Sequence, residues 1–453
     1  MGNITLRQAA LWCGGQVEEK YADVTFLGAN MDSRKILPGQ LFVALTAERD
    51  GHDFIPMAMQ KGAAAVLCQR SCGDIPAIIV EDPRRALGDI ARQERKRIGM
   101  KVVGVTGSVG KSTTKEMIAN VLEGTYRVEK TPVNQNNDIG MPMAILAMPE
   151  DTEVAVLEMG MNHFREIAYL SSIARPDVAV IINIGTMHME YLGSQEGILQ
   201  AKLEILEGMQ KDGTVIFNGD DRLLWGQREQ LQHIPTYFGR ENEAAQVRAV
   251  AVTEDPGMLG FRVEAGNVSI GIELALDGQH YVSDALAAVS VGLQFGVAPE
   301  KIRENLARFR NLAGRQEILE AKGVTIIKDC YNAGPESMKA ALDVLGNRPG
   351  RHVAVLGDML ELGASTQAEH YRIGRIAAEK AQLLFAYGPN GDRVISGAIT
   401  GGMPDTRAMA FDDHDKLASV LRRMVKPGDV ILFKGSRGMH MERALEKFLQ
   451  DET

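Results

Sequence analysis

The stretch "KVVGVTGSVGKSTTKEM", residues 101–117, constrains this chain more than any other. An apolar run leads into a glycine-bracketed turn, then into Lys111, Ser112, Thr113 and helix-forming residues. A strand–turn–helix of this kind points backbone N–H groups at one spot, and the helix N-terminus adds partial positive charge, so the loop holds an anion. The common phosphate loop reads G-x-x-x-x-G-K-[ST]. Its first glycine would fall at Val105, whereas this chain has glycines at 104, 107 and 110. The variant T-G-x-x-G-K-S-T does the same physical work. Gly107, Ser108, Gly110 and Thr113 form the cradle, Lys111 reaches the β- and γ-phosphates, and the Ser112 hydroxyl helps hold Mg2+. No N-K-x-D guanine signature accompanies the loop, so the expected nucleotide is ATP.

A phosphate loop sits at the carboxyl end of a parallel sheet, and the chain supplies further strands for one. "TEVAVLEMG", "DVAVIINIG" and "GTVIFNGDD" are apolar runs ending in Gly or an acid, the pattern of strands covered on both faces. From about residue 314 the rhythm restarts with "VTIIKDCYNAGP", "RHVAVLGDM", "QLLFAYG" and "DVILFKGSRG". At 453 residues, and about 150 per domain, three α/β domains are expected. They are a small one over 1–98, a central phosphate-loop domain with a mostly parallel sheet over 99–313, and a smaller doubly wound, Rossmann-like domain over 314–453. The first ends in a short strand, a turn at Asp82-Pro83 and a charged helix.

Fifty Lys and Arg against 59 Asp and Glu leave a net charge of −9, which argues against a nucleic-acid partner and means any anionic ligand is gripped locally. The four cysteines form no C-x-x-C pair and read as reduced thiols. No run approaches the roughly 18 apolar residues of a membrane span. The opening "MGNITLRQAALWCGG" lacks the basic-then-apolar build of a signal peptide, and Leu6 stands where myristoylation needs Ser or Thr. A cytoplasmic location is expected.

Glu158 ends one central strand, His188 follows the next, and Lys202 lies on the helix after that. Singly these read as a cap, a surface histidine and a solvated lysine. Their arrival after successive parallel strands beside a phosphate loop points instead to a metal and anion site. "TPVNQNNDIGMP" adds Asn134, Asn136 and Asn137, neutral donors and acceptors suited to a polar substrate.

Along essentially the whole chain these segments resemble the Mur ligase family, in its branch that joins D-alanyl-D-alanine to UDP-N-acetylmuramoyl tripeptide. The first block carries "DSRKILPGQLFVAL" and "DGHDFIPMAMQKGAAAV". The centre has "TGSVGKSTTKEM", "NQNNDIGMP", "EMGMNH", "NIGTMHMEYLGS" and "AKLEI". The third block has "GRQEI", "DCYNAGPESM", "LGDMLELG" and "KGSRGMHMER".

The resemblance implies an ATP-dependent amide ligase with small-molecule substrates, acting through an acyl phosphate; a monomer is the default expectation. By match to the motifs, Ser33, Arg34, Asp50 and His52 bind the UDP-sugar part of the substrate. Asn134, Asn136, Asn137, Asn162 and Asn332 contact substrate. Lys111 grips phosphate, Ser112 and Glu158 hold one Mg2+, and His188 holds a second. Lys202 matches the position carbamylated in the family, where a carbamate oxygen serves as a ligand. His280, Tyr281 and Asp284 fall on the adenine side, and Arg315, Asp329 and Tyr331 reach the nucleotide from the third domain on closure.

The chain departs from the family pattern in "HYVSDA", where Tyr281 and Asp284 replace asparagines, and in "YNAGP", where Gly334 replaces asparagine. Ile182 replaces a usual threonine, Arg165 a frequent glycine, and the run before Asp50 is one residue short. Two other readings carry fewer of the motifs. One is a folylpolyglutamate synthase-like ligase, which would begin directly with the phosphate-loop domain; the other is a non-catalytic nucleotide-binding scaffold.

Overall fold

The computed structural model describes residues 4–450. Its first sheet is four short parallel strands in the order Ala29–Asn30, Leu41–Val43, Ala65–Cys68 and Ala77–Ile79. A two-stranded antiparallel ladder of Ile4–Thr5 and Thr25–Phe26 lies apart from it. The helix Pro83–Ile98 follows. Asp82 starts it by accepting from the N–H groups of Arg84 and Arg85, with Pro83 at its first position, and Gly99 at φ 75° ends it. One apolar core includes Leu87 and Ile90 of this helix, Leu41 and Leu67 of the first sheet, and Leu157 and Ile181 of the central one.

The central sheet has nine strands. Val128–Lys130, Val154–Glu158, Lys101–Thr106, Val178–Ile181, Thr214–Asn218, Thr236–Gly239 and Val247–Asp255 are parallel neighbours in that order. Val- and Ile-rich segments such as 154–158 and 178–181 are buried at every position, which is why they read as continuous apolar runs. The strand Lys101–Thr106 lies where the chain reverses its winding, between a neighbour reached by one crossover and a neighbour reached by the opposite one. Ligands of open α/β sheets bind beyond the strand ends at such a point.

The sheet is extended by an antiparallel meander, Val247–Asp255, Met258–Ala265 and Val268–Leu274, which the expected alternation of strands and helices did not include. Met258–Ala265 buries every second residue, the period of a sheet with one face in water.

The third sheet runs Glu317–Ala321, Val324–Asp329, Asp429–Lys434, Arg351–Gly357, Leu383–Tyr387 and Ala408–Phe411, parallel except for its first pair. Among the described residues no helix is long and apolar enough to cross a membrane. All four cysteines are free; Cys68 and Cys330 are buried, and Cys13 and Cys72 are partly exposed.

Candidate active site

The carboxyl ends of the central strands open into a cavity of about 890 Å3, closed on its far side by the third sheet's loops. The loop after Lys101–Thr106 feeds the helix Lys111–Leu122 through Gly110, whose φ of 84° suits glycine. Space demands glycine there as well: a Cβ would lie 2.7 Å from Asp284 Oδ1. Lys111 Nζ curls back over the loop and donates to Gly107 O at 2.8 Å and Ser108 O at 3.1 Å. The N–H groups of Ser108 and Val109 both donate to Asn183 Oδ1 at 3.0 Å, and Asn183 Nδ2 donates to Val109 O. Asn183 thus fixes the loop from the neighbouring strand. The sequence reading gave it no role, although its position just past that strand is a usable signal.

Ser112 Oγ donates to Glu158 Oε2 at 2.7 Å, and Asn136 Nδ2 donates to the other carboxylate oxygen at 2.8 Å. The Glu158 N–H donates to Thr131 Oγ1, while Lys115, fully buried on the loop's helix, donates to Thr131 O at 2.6 Å. Thr131 and Lys115 were not anticipated; both set the position of Glu158. Arg315 donates to Ser112 Oγ at 3.0 Å, and its guanidinium lies 4.0 Å over the Tyr331 ring. The Tyr331 hydroxyl donates to Asn134 Oδ1. Ser112 is therefore the point where the central and third sheets' loops meet.

Lys202 is 1% exposed, which rules out the alternative of a solvated helical lysine. Burial holds its amine well below the usual lysine range, and the nearby Lys111 charge adds to the shift. Burial also lowers Lys111, against the pull of Glu158. His188 is pushed down to about 4 by burial, then by the charges of Lys111 and Lys202. Its backbone is left-handed, φ 65°, and Nδ1 lies 3.0 Å from Glu361 Oε2, out of line for a good hydrogen bond. Among the described residues, Lys111 and Lys202 have no carboxylate hydrogen-bonded to them, so the region favours an anion.

No group of three or more His, Cys, Asp or Glu side chains converges among the described residues. Ser112 and Glu158 supply one hydroxyl and one carboxylate. That sparse oxygen set suits Mg2+, which completes its octahedron with phosphate oxygens and water.

His280, Tyr281 and Asp284 line the same cavity. Tyr281 is 3% exposed and its oxygen accepts from Asn311 Nδ2. Asp284 accepts from Thr114 Oγ1 at 2.8 Å, packed beneath the phosphate loop, and burial pushes its carboxyl up to about 7. His280 is half-buried, and desolvation holds it down at about 4. Asp329 and Asn332 also line the cavity; Lys434, which the sequence reading passed over, donates to Asp329 Oδ2 at 2.6 Å and to Asn332 O at 3.0 Å. Asn162 and Asn137 line the cavity as well, and Asn137 Oδ1 accepts from the N–H groups of Ile139 and Gly140 at the start of the next helix.

The four first-block residues are not part of this cavity's lining. Ser33 is buried against Met57, and Arg34 pairs with Asp32. Asp50 accepts from the His52 ring at 2.6 Å and from Arg70 at 2.6 Å, and His52 Nε2 accepts from the Gln69 N–H. Both nitrogens of His52 are thereby used inside the first unit.

Family comparison assigns residues 24–95 to the Mur ligase family catalytic domain, 105–292 to the Mur ligase middle domain, and 314–437 to the Mur ligase glutamate ligase domain. The chain is 39% identical over 446 residues to the UDP-N-acetylmuramoyl-tripeptide–D-alanyl-D-alanine ligase of Bacillus subtilis, covering 96% of each chain. A crystal structure of MurF from Acinetobacter baumannii superposes with a TM-score of 0.92 at 31% identity, covering 100% of both chains. MurF from Thermotoga maritima in complex with ADP gives a TM-score of 0.83 at 31% identity, covering 93% of this chain and 97% of that one. With its phosphate loop, its cross-sheet arginine and full-length relatives of one kind, the chain belongs to the Mur ligase family.

Proposed function

We propose that this protein joins D-alanyl-D-alanine to UDP-N-acetylmuramoyl tripeptide with hydrolysis of ATP to ADP and phosphate, the last step in making the peptidoglycan precursor pentapeptide. The observation that carries this reading is the meeting of Lys111 and Ser112 with Arg315 of the third sheet's unit over one cavity, in a chain whose full-length relatives bear that activity in their names.

The chemical difficulty is anion against anion. An oxygen of the peptide's terminal carboxylate bonds to the γ-phosphorus, the bond to the β-phosphate oxygen breaks, and ADP leaves. The amine of D-alanyl-D-alanine, having lost a proton, then bonds to the acyl carbon, and phosphate departs from the tetrahedral adduct. Lys111 and the loop N–H groups offset the charge on the phosphates, and Arg315 adds a cation from across the cavity. Ser112 and Glu158 would hold one Mg2+, with His188 and a modified Lys202 toward a second. Bound Mg2+ neutralises phosphate charge and polarises the transferring group. His188, neutral at pH 7, is in the form that ligates a metal.

Lys202 is assigned as carbamylated. Its amine adds to CO2, a C–N bond forms and one proton leaves, turning a buried cation into an anionic oxygen donor. Burial favours the neutral amine that this addition needs.

Residues 1–98 are assigned as the uridine-binding unit, with Ser33, Arg34, Asp50 and His52 facing the UDP-sugar. Residues 99–313 form the ATP-binding unit, and 314–453 receive the dipeptide and close on ATP. Nucleotide co-substrates and free thiols fit a cytoplasmic enzyme. A monomer is the assigned state, since one chain supplies every residue of the site.

The test is ADP and amide formation from ATP with each co-substrate alone and both together. Little ADP is expected from ATP alone, and equal amounts of ADP and amide with both. Ligation of glutamate to a folate, with none of the muramoyl peptide, would overturn the reading in favour of the folylpolyglutamate type.

A further inference from the structure

The loop that follows strand Val178–Ile181 is held from both sides. Toward the phosphate loop, Asn183 binds the Ser108 and Val109 N–H groups, and the Gly185 N–H donates to Ser108 Oγ at 2.9 Å. Toward the third sheet, three consecutive residues each meet a different partner. Thr186 donates to Glu336 Oε1 through its backbone N–H at 3.1 Å and its hydroxyl at 3.0 Å. Met187 fills the space beside Gly334, where a Cβ would come within 2.8 Å of its Cγ. His188 Nδ1 lies 3.0 Å from Glu361 Oε2.

The packing leaves little slack. A Cβ on Gly185 would lie 3.0 Å from Ser108 Cβ and 3.2 Å from Glu336 Cδ, so this residue is pressed between the two units. A Cβ on Gly363 would lie 3.0 Å from the Glu190 Cα, which brings the Glu361 turn against the far end of the loop. Both His188 and Glu361 sit in the left-handed region, at φ 65° and 61°. Such backbone costs of order 1–3 kcal/mol in non-glycine residues and persists where the surroundings over-determine it. Gly334, one of the departures from the family pattern, has a physical partner here: an asparagine side chain would need the space that Met187 occupies.

We infer that Glu336 and Glu361 are positioning residues: from the third unit they clasp Thr186 and His188, so the His188 ring is aimed into the cavity only when that unit is docked. Glu361 Oε2 stands 3.0 Å from Nδ1, near enough that a small turn of the ring completes a hydrogen bond, which would leave Nε2 as the nitrogen available to a metal. A carboxylate behind a ligating histidine fixes the ring's orientation, and its loss typically costs 10- to 100-fold in metal affinity or activity. Glu336 acts two residues earlier by fixing the backbone that carries His188. The arrangement makes metal binding at His188 a consequence of closure. The inference rests on the ATP and metal chemistry proposed above.

The test needs no turnover. Mn2+ is titrated against wild-type protein with ADP, with free Mn2+ followed by electron paramagnetic resonance, in parallel with Glu361→Ala, Glu361→Gln and Glu336→Ala. Wild type is expected to bind two Mn2+. Glu361→Ala should keep the one at Ser112 and Glu158 and weaken the other by about 10- to 100-fold. Glu361→Gln, which keeps an acceptor oxygen, should recover much of the loss, and Glu336→Ala should fall between. Thermal melting accompanies each variant; should Glu361→Ala fail to fold, Glu361→Gln and Glu336→Ala decide. Two wild-type-like Mn2+ sites in the folded variants overturn the inference while leaving the ligase reading intact. A single Mn2+ in wild type also overturns it, even where ligation is measured. Loss of ligation in wild type strikes the functional reading instead.

Discussion

Lys111 and His188 line the central cavity, half-buried, and Lys202 lies fully buried close enough to feel the Lys111 charge; each is held below its usual pKa, and no carboxylate pairs with Lys202 among the described residues. In the first unit, the polar residues of two short turns are matched to one another: Asp50 serves both His52 and Arg70, and Asp32 serves Arg34. Asp50 is held well below the usual carboxylate range, chiefly by Arg70. One cluster is left for a ligand to complete, the other has its charges already answered. The difference teaches that a binding motif is not one kind of object. Uncompensated burial marks where charge must be met by a ligand, whereas a satisfied turn shapes a surface and contributes little charge of its own.

Substitutions at the two clusters should therefore fail in different ways. The largest effect is expected from Lys111→Ala, which removes the main cation facing the γ-phosphate. A fall of roughly 10²-fold or more in kcat, read as ADP release, is expected with folding unchanged. A variant with near-normal kcat would remove the reason for treating the cavity as a phosphate site.

Lys202→Met separates catalysis from stability. The variant should lose ligation yet melt no lower than wild type, because a methionine fills the space without burying an unpaired ammonium. Ligation by this variant at low bicarbonate would defeat the carbamate assignment. Lys202→Ala leaves a cavity as well, so partial recovery with added acetate is the more telling measurement there.

Asp284→Asn probes the pH behaviour of the phosphate-loop support. Asp284 has a folded pKa raised to about 7, above the ordinary 3.8. The wild-type stability linked to it is full below 3.8 and is lost as pH rises toward 7. Asparagine keeps an acceptor for Thr114 and does not titrate. The variant should therefore gain on wild type between pH 4 and pH 7, by about 1 kcal/mol or more, and level off above that. Melting curves that stay parallel across this range would show that Asp284 remains charged.

The smallest effects belong to the first unit. His52→Ala breaks two internal hydrogen bonds and should cost about 1–3 kcal/mol of stability, with kcat at saturating substrate little changed. Arg34→Ala touches only an exposed pair, so its cost should stay under about 1 kcal/mol, and its effect should fall on the KM of the UDP-peptide. A large drop in kcat from either would erase the contrast between the two clusters.

The sheets were legible to different degrees for a physical reason. Segments 154–158, 178–181 and 429–434 are buried on both faces, so their sequences had to be apolar between their ends. The meander over 247–274 is half in water, and its alternating, charged strands carry no such run. Within the site, Lys111, Ser112 and Glu158 could be read because a phosphate loop and a strand end fix their neighbours locally. Asn183, Lys115, Thr131 and Lys434 act through partners far away in sequence: Asn183 on Ser108, Lys434 on Asp329. No local pattern announces them.

The sequence by itself determined the phosphate loop, the main buried strands that flank it and the family, since each follows from short-range spacing and the requirement that two-faced strands be apolar. Only the tertiary structure decided that Lys202 is buried, that Asp284 lies under the loop, and that Glu336 and Glu361 reach the loop carrying His188. Burial and charge are properties of what surrounds a residue. Those surroundings come from distant parts of the chain, 170 positions apart in the Thr114–Asp284 bond and 203 in the Arg315–Ser112 bond.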